Sequence, residues 1–136
     1  MDAHWEEIEH TADWAIRVTA PDLRSLFEMA ARGMVTLAGG VPGERSQPFT
    51  RSIRVQAYDR ETLLVDWLTE LVYLIEDEGA LIDTLVVHRV EDSHLEAEVG
   101  GLTGGRFDKH IKAVTYHDLA IRQTDGGFET VIVFDV

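Results

Sequence analysis

The sequence predicts an α+β fold, a two-layer sandwich in which two helices cover one face of a mainly antiparallel, six-stranded sheet. Two segments in the first 80 residues have apolar residues at helical spacing, and most of the remainder alternates apolar and polar residues as strands do. The resulting order of strand, helix, strand, helix and four strands is typical of helices packed on an antiparallel sheet. A chain of 136 residues can bury one core, so residues 1–136 are expected to form a single domain.

The first strand and the first helix are predicted near the start of the chain. Residues 8–19 alternate in polarity, which places Asp13 on the face opposite the apolar side chains. Asp22 follows a proline and is suited to cap a helix over residues 23–38. Gly39 and the glycine after it then stop that helix.

The second helix follows a short strand over residues 53–57. Asp59 can cap this helix, Gly79 ends it, and Asp66 lies on its polar side. Three consecutive acids at positions 76–78 lie at the end where the helix dipole is already negative. This arrangement costs stability, and the sequence alone gives no use for it.

The second half of the chain has the alternation of strands throughout. Residues 81–91 and 93–101 form one predicted pair around an Asp-Ser turn. Residues 110–123 and 126–136 flank an Asp-Gly-Gly turn and make the clearest predicted hairpin. A glycine-rich connection lies between the two pairs.

The composition excludes several classes of function. The chain has no cysteine, which removes disulfides, thiolate metal sites and thiol nucleophiles. Its 12 Lys and Arg against 25 Asp and Glu give a formal charge of −13, which repels phosphate backbones and favours divalent cations or a basic partner. No apolar run is long enough to cross a membrane, and the acidic start does not have the pattern of a secretory signal, so the cytoplasm is expected.

The motifs of common hydrolases and nucleotide-binding loops do not occur in the sequence. The six histidines lack the spacing that places two imidazoles on one zinc ion, and no serine lies in a nucleophile elbow. Tyr116, His117 and Asp118 are consecutive, so in a strand they would point to alternating faces and form no relay. The densest basic cluster follows the glycine-rich connection and is equally consistent with a binding site or a solvated edge; it comprises Arg106, Lys109, His110 and Lys112.

Carboxylates at the two ends of the chain are the remaining candidates for a site. Asp135 and the Val136 carboxylate lie at the end of a predicted strand, and Asp13 would join them if the first and last strands were neighbours. Such a group would share a proton, raise its pKa values or bind a cation. Oxygen ligands alone favour Ca²⁺, Mg²⁺ or Mn²⁺.

Four sequence blocks, taken in order, resemble the archease family. They are EHTADWAIRV near the start, LLVDWLTELVYL in the second helix, KAVTYHDLAI in the penultimate strand and IVFDV at the end. The combination of HTAD, KAVTYH and a terminal FDV is specific, and the resemblance covers essentially the whole chain.

The resemblance implies an accessory protein rather than an enzyme. Archeases assist the RNA ligase that joins a 3′-phosphate or 2′,3′-cyclic phosphate end to a 5′-hydroxyl in tRNA splicing and RNA repair. That ligase uses GTP and Mn²⁺ and forms a guanylylated histidine, and archease promotes its guanylylation and multiple turnover. The expected partner is therefore a GTP-dependent 3′-phosphate RNA ligase, with RNA contacted only through the ligase.

The resemblance also implies a metal site. The family's ligands are the Asp of HTAD, here Asp13, the penultimate Asp, here Asp135, and the backbone or terminal oxygen of the last residue, here Val136. The implied ion is Ca²⁺-like, with Mg²⁺ or Mn²⁺ as alternatives. Five further residues lie in the family's motifs and are expected to flank this site: His10, Asp66, Lys112, Tyr116 and His117.

The chain departs from the family pattern at two places. Trp14-Ala15 replaces the Val-Gly found after HTAD in many members, and Thr69 replaces an Asn of the second helix. Neither change removes a carboxylate. Two other functional hypotheses remain: a stand-alone metal-dependent phosphoryl-transfer or hydrolytic enzyme that uses the same carboxylates, and a chaperone-like module for nucleic-acid-modifying proteins.

Overall fold

The computed structural model describes residues 2–9 and 14–136, which form two helices and eight strands. In chain order the elements are β1 His4–Ile8, β2 Trp14–Ala20, α1 Leu23–Ala38, β3 Pro48–Gln56, α2 Arg60–Glu78, β4 Leu81–Val90, β5 His94–Leu102, β6 Ala113–Val114, β7 Arg122–Thr124 and β8 Gly127–Asp135. The predicted α+β class, with two helices and antiparallel strands, is confirmed.

The strands form two antiparallel sheets rather than the single six-stranded sheet predicted. One has the order β1-β2-β8-β6, with β7 also paired to β8, and the other has the order β3-β5-β4. One edge of β8 is shared by two short strands, since β7 pairs with Gly127–Glu129 and β6 with Phe134–Asp135. This edge therefore offers no long unbroken row of backbone groups to which the β3-β5-β4 sheet could pair.

Both helices begin and end as their sequence signals predict. Asp22 accepts a hydrogen bond from the Ser25 amide at 2.8 Å, and Gly39 caps α1 with a φ of 68°. Asp59 accepts from the Thr62 amide at 2.7 Å, and Gly79 ends α2 in the left-handed conformation. Local capping chemistry thus fixes the length of both helices.

One hydrophobic core joins both helices and both sheets. Phe27 of α1, Trp67 of α2, Ile132 of β8 and Leu95 of β5 are all fully buried in it. The Trp67 indole Nε1 donates to the Phe27 carbonyl oxygen at 3.0 Å, so the polar atom of the largest core side chain is satisfied inside the core. This bond links the two helices directly.

The prediction of one long strand over residues 110–123 is wrong. Only β6 and β7 form there, and the chain turns between them, with the Leu119 amide donating to the Tyr116 carbonyl at 3.0 Å and Asp118 at a φ of 50°. The physical reason is that α2 binds part of this backbone. Side chains of the helix accept hydrogen bonds from the amides of Ile111 and Ile121.

The edge strand β1 was not predicted. Its register with β2 pairs Trp5 with Val18, and its two central glutamates are exposed. No helix in the described parts of the chain is long and apolar enough to cross a membrane.

Candidate functional site

Asp135 and Val136, two of the three predicted metal ligands, lie where β2, β8 and β6 come together at one end of the five-stranded sheet. Trp14, the first residue of β2, pairs with Phe134, and Asp135 pairs with Ala113 of β6. The Lys112 amide donates to the Asp135 carbonyl oxygen at 2.7 Å. The start of β2 and the end of β8 are therefore neighbours, as the hypothesis of two meeting chain ends requires.

Asp135 presents an exposed carboxylate at this sheet end. Within residues 2–9 and 14–136, its carboxylate forms no ion pair with a basic side chain. Val136 is half-buried and packs against the hydrophobic core. The anchored final residue and the exposed carboxylate beside it offer oxygen atoms, the ligands that a hard cation prefers.

The two site residues predicted from the HTAD motif, His10 and Asp13, lie outside the described residues. The complete predicted metal site of Asp13, Asp135 and Val136 therefore stays a prediction. Among the residues that the structure does describe, no group of three or more histidines and carboxylates could hold a metal ion.

Lys109 adds a cation to the same end of the molecule. Its ammonium lies 5.1 Å from the centroid of the Trp14 ring, within the range of a cation–π interaction. The side chain of Lys112, predicted to flank the site, is exposed, and its backbone is held by Asp135. Of the basic cluster seen in the sequence, Lys109 and Lys112 thus contact residues at the end of the sheet.

Tyr116 and Asp66 are brought together against α2. Partial burial and the nearby Asp66 carboxylate raise the pKa of Tyr116, against a smaller lowering effect of the Thr62 hydroxyl. The phenol therefore stays protonated at neutral pH. Asp66 and Tyr116, which were both predicted to flank the metal site, therefore lie near each other on the outer side of α2.

His117 and Asp118 correct an expectation from the sequence. Their side chains lie 3.4 Å apart, between Nε2 and Oδ2, although adjacent residues of a strand would point to opposite faces. The left-handed conformation of Asp118 turns the chain and permits this contact. Both side chains are exposed, at 60% and 93%, so the pair is a surface contact rather than a catalytic relay.

Two carboxylates that the sequence did not single out as site residues position the segment around β6. Glu76 accepts from the Ile111 amide at 2.9 Å and lies 2.9 Å from His110 Nδ1, while Glu61 accepts from the Ile121 amide at 2.9 Å. Two of the three acids at the end of α2 thus have partners, since Glu78 pairs with Arg51 at 3.0 Å. The position of residues 76–78 at the negative end of the helix dipole was the one signal in the sequence that could have indicated a tertiary role.

Nearly the whole chain matches one protein family. The model of the Archease protein family (MTH1598/TM1083) covers residues 5–136. The chain belongs to the archease family. A protein archease of Methanosarcina mazei is 32% identical over 97% of this chain and 95% of the relative. A protein archease of Archaeoglobus fulgidus is 33% identical over 95% of this chain and 96% of the relative.

Two solved structures share the fold of this archease family member. A crystal structure from Thermotoga maritima, described as an archease and possible chaperone, has a TM-score of 0.70 at 21% identity and covers 96% of both chains. The solution structure of protein 1598 from Methanobacterium thermoautotrophicum has a TM-score of 0.67 at 26% identity, covering 97% of this chain and 98% of the other. The family resemblance predicted from the four sequence blocks is confirmed.

Proposed function

We propose that this protein is an accessory factor that activates a GTP- and Mn²⁺-dependent RNA ligase by promoting ligase guanylylation and multiple turnover. Membership of the archease family supports the proposal most directly. The charge of −13 supports it physically, because an acidic protein is attracted to the basic, phosphate-binding surface of such an enzyme. The protein itself would join no RNA ends.

The acidic end of the sheet is proposed as the part that acts on the ligase. Asp13, Asp135 and Val136 would hold a divalent ion, most naturally Ca²⁺ and otherwise Mg²⁺ or Mn²⁺. Trp14, the residue that follows Asp13 in the sequence, pairs with Phe134 near the end of β8.

The donor atoms at this end are compatible with a hard cation. The Asp135 carbonyl oxygen already accepts the Lys112 amide, which leaves the Asp135 carboxylate and an oxygen of Val136 as ligands. Such an ion would supply local positive charge and would fix the orientation of the carboxylates. His10, Lys112 and His117 are proposed to flank the site, with the Lys112 ammonium offsetting part of its negative charge.

A chaperone-like role is the second candidate. The Thermotoga maritima protein of the same fold is described as a possible chaperone. In this role the protein would stabilise a nucleic-acid-modifying partner without changing its reaction with GTP. The two candidates differ in whether the guanylylation rate of a folded, stable ligase changes.

Guanylylation of the cognate ligase, followed with labelled GTP and Mn²⁺, tests the proposal. Adding this protein to folded ligase should raise the initial rate and allow many turnovers of RNA joining. An unchanged guanylylation rate together with protection of the ligase from heat aggregation would instead support the chaperone-like role. RNA processing by this protein alone, with metal but no ligase, would favour the stand-alone enzyme.

A further inference from the structure

All three tyrosines of the protein lie on or beside one helix and are exposed to solvent. Tyr73 is in α2, Tyr58 immediately precedes its cap, and Tyr116 lies near Thr62 and Asp66 in its first turns. The exposed fractions are 87% for Tyr58, 57% for Tyr73 and 54% for Tyr116. Tyrosines are usually at least partly buried, and exposed ones are enriched at protein interfaces.

The outer face of α2 is acidic along its length. This face comprises Thr62, Asp66, Glu70, Tyr73 and Asp77, which recur every three or four residues and so share one side of the helix. It extends over about 22 Å at 1.5 Å per residue. Within the described chain, none of its three carboxylates forms an ion pair.

The nearby arginines form their ion pairs with carboxylates other than the three of this face. Arg60 pairs with Asp92 at 2.7 Å and stacks over Phe128, and Arg54 pairs with Glu96. Arg51 pairs with Glu78 at 3.0 Å. The carboxylates of the outer face therefore remain available to a cationic partner.

An open cleft beside Tyr73 gives such a partner a place to insert. It has a volume of about 310 Å³ and separates the end of α2 from β3, with Glu70, Tyr73 and Asp77 on its helical wall. Arg51 and Arg54 line its strand side, and both are already paired, Arg51 with Glu78 of the helix and Arg54 with Glu96. The cleft thus has the chemistry needed to bind guanidinium groups.

We propose that the outer face of α2, with Tyr58 and Tyr116 at its start, binds an arginine-rich segment of a partner protein. Guanidinium groups stack on tyrosine rings and pair with carboxylates in planar geometry, which makes arginine a better match than lysine. The negative face disfavours RNA, because its phosphates would be repelled. This surface includes none of the three proposed metal ligands. The proposal holds whether or not the partner is an RNA ligase.

Fluorescence anisotropy with labelled oligoarginine and oligolysine peptides of equal length, at low ionic strength, tests the proposal without any ligase. The wild type should bind oligoarginine more tightly than oligolysine. In the double variant Tyr58→Ser/Tyr73→Ser, which leaves Tyr116 intact, the Kd for oligoarginine should rise about tenfold. The fold of each variant is checked by circular dichroism and thermal unfolding.

A matched pair of variants separates the surface from the overall charge. Glu70→Gln/Asp77→Asn and Glu44→Gln/Asp83→Asn remove the same charge from exposed positions, the first on the outer face and the second away from it. Only the first should weaken oligoarginine binding severalfold, and amide chemical shifts should move along α2 on titration. Equal losses in both variants, chemical shifts concentrated elsewhere, or no preference for arginine would each overturn the proposal.

Discussion

Replacing Glu76 by Ala should destabilise the protein, because this side chain satisfies a backbone amide of the segment that leads to the candidate site. Glu76 accepts from the Ile111 amide at 2.9 Å, and Ile111 is only 2% exposed. A buried amide left without a partner costs about 1–3 kcal/mol. The second contact of Glu76, to the 66% exposed side chain of His110, adds about 0–1 kcal/mol at most.

The expected loss for Glu76→Ala is therefore about 1–3 kcal/mol in the free energy of unfolding. In a chain of this length each kcal/mol lowers Tm by about 3–5 °C. Glu76→Gln keeps an oxygen that can accept the Ile111 amide, so its loss should stay below about 0.5 kcal/mol. Urea unfolding followed by tryptophan fluorescence measures both changes.

Glu70→Ala is the matched control, because Glu70 lies in the same helix but is exposed. It should change stability by less than about 0.5 kcal/mol. Hydrogen exchange gives a local readout: the Ile111 amide should exchange faster in Glu76→Ala than in Glu76→Gln. If the Ala and Gln variants were equally stable, or if Glu70→Ala were as damaging as Glu76→Ala, the proposed role of the Glu76 carboxylate would be refuted.

Two further predictions concern α1. A Cβ at Gly33 would lie 2.9 Å from the Trp5 ring. Gly33→Ala should therefore lower the free energy of unfolding by about 1–2 kcal/mol, although alanine has the higher helix propensity. In urea unfolding, the double variant Trp5→Ala/Gly33→Ala should lose less stability than the sum of the two single losses. The hydrogen bonds from the Ser25 hydroxyl and amide lower the pKa of the Asp22 cap, so its contribution is present above the unfolded-state pKa and is lost as pH falls through the lower folded-state pKa. Asp22→Ala should thus cost about 1 kcal/mol at pH 7, with the difference from wild type narrowing below about pH 4; a constant difference down to pH 2 would contradict this assignment.

The helices could be predicted from the sequence to the residue, whereas the arrangement of the strands could not. Asp22, Gly39, Asp59 and Gly79 act on backbone groups within one turn of themselves, so the sequence contains the whole interaction. Strand pairing depends on partners far along the chain. Alternation showed that residues 126–136 form a strand but not that two separate short strands share one of its edges.

The edge strand β1 and the turn before β7 show two physical limits of sequence patterns. In β1 the exposed Glu6 and Glu7 interrupt the alternation that identifies a strand. Residues 110–123 do alternate, but α2 accepts their backbone amides through Glu61 and Glu76 and prevents a continuous ladder. Only the tertiary structure brings these groups together.

The candidate site could be predicted in part. The sequence placed Asp135 at the end of a strand, and the structure puts that end beside the start of β2. The contacts of Lys109 with Trp14 and of Tyr116 with Thr62 join segments distant in the sequence, and no local pattern indicates them. The metal itself depends on Asp13 and stays a proposal.

The most direct test of the proposed function is the single-turnover rate of ligase guanylylation with wild-type protein, Asp135→Asn and Asp13→Asn, each compared with Glu44→Gln as an exposed acid in a loop. Asp135→Asn and Asp13→Asn should each lower the stimulated rate about tenfold or more, with Tm in the presence of chelator nearly unchanged because asparagine keeps the size and shape of aspartate. Full stimulation by both Asn variants, or an equal loss with Glu44→Gln, would contradict the proposal that the acidic end of the sheet activates the ligase.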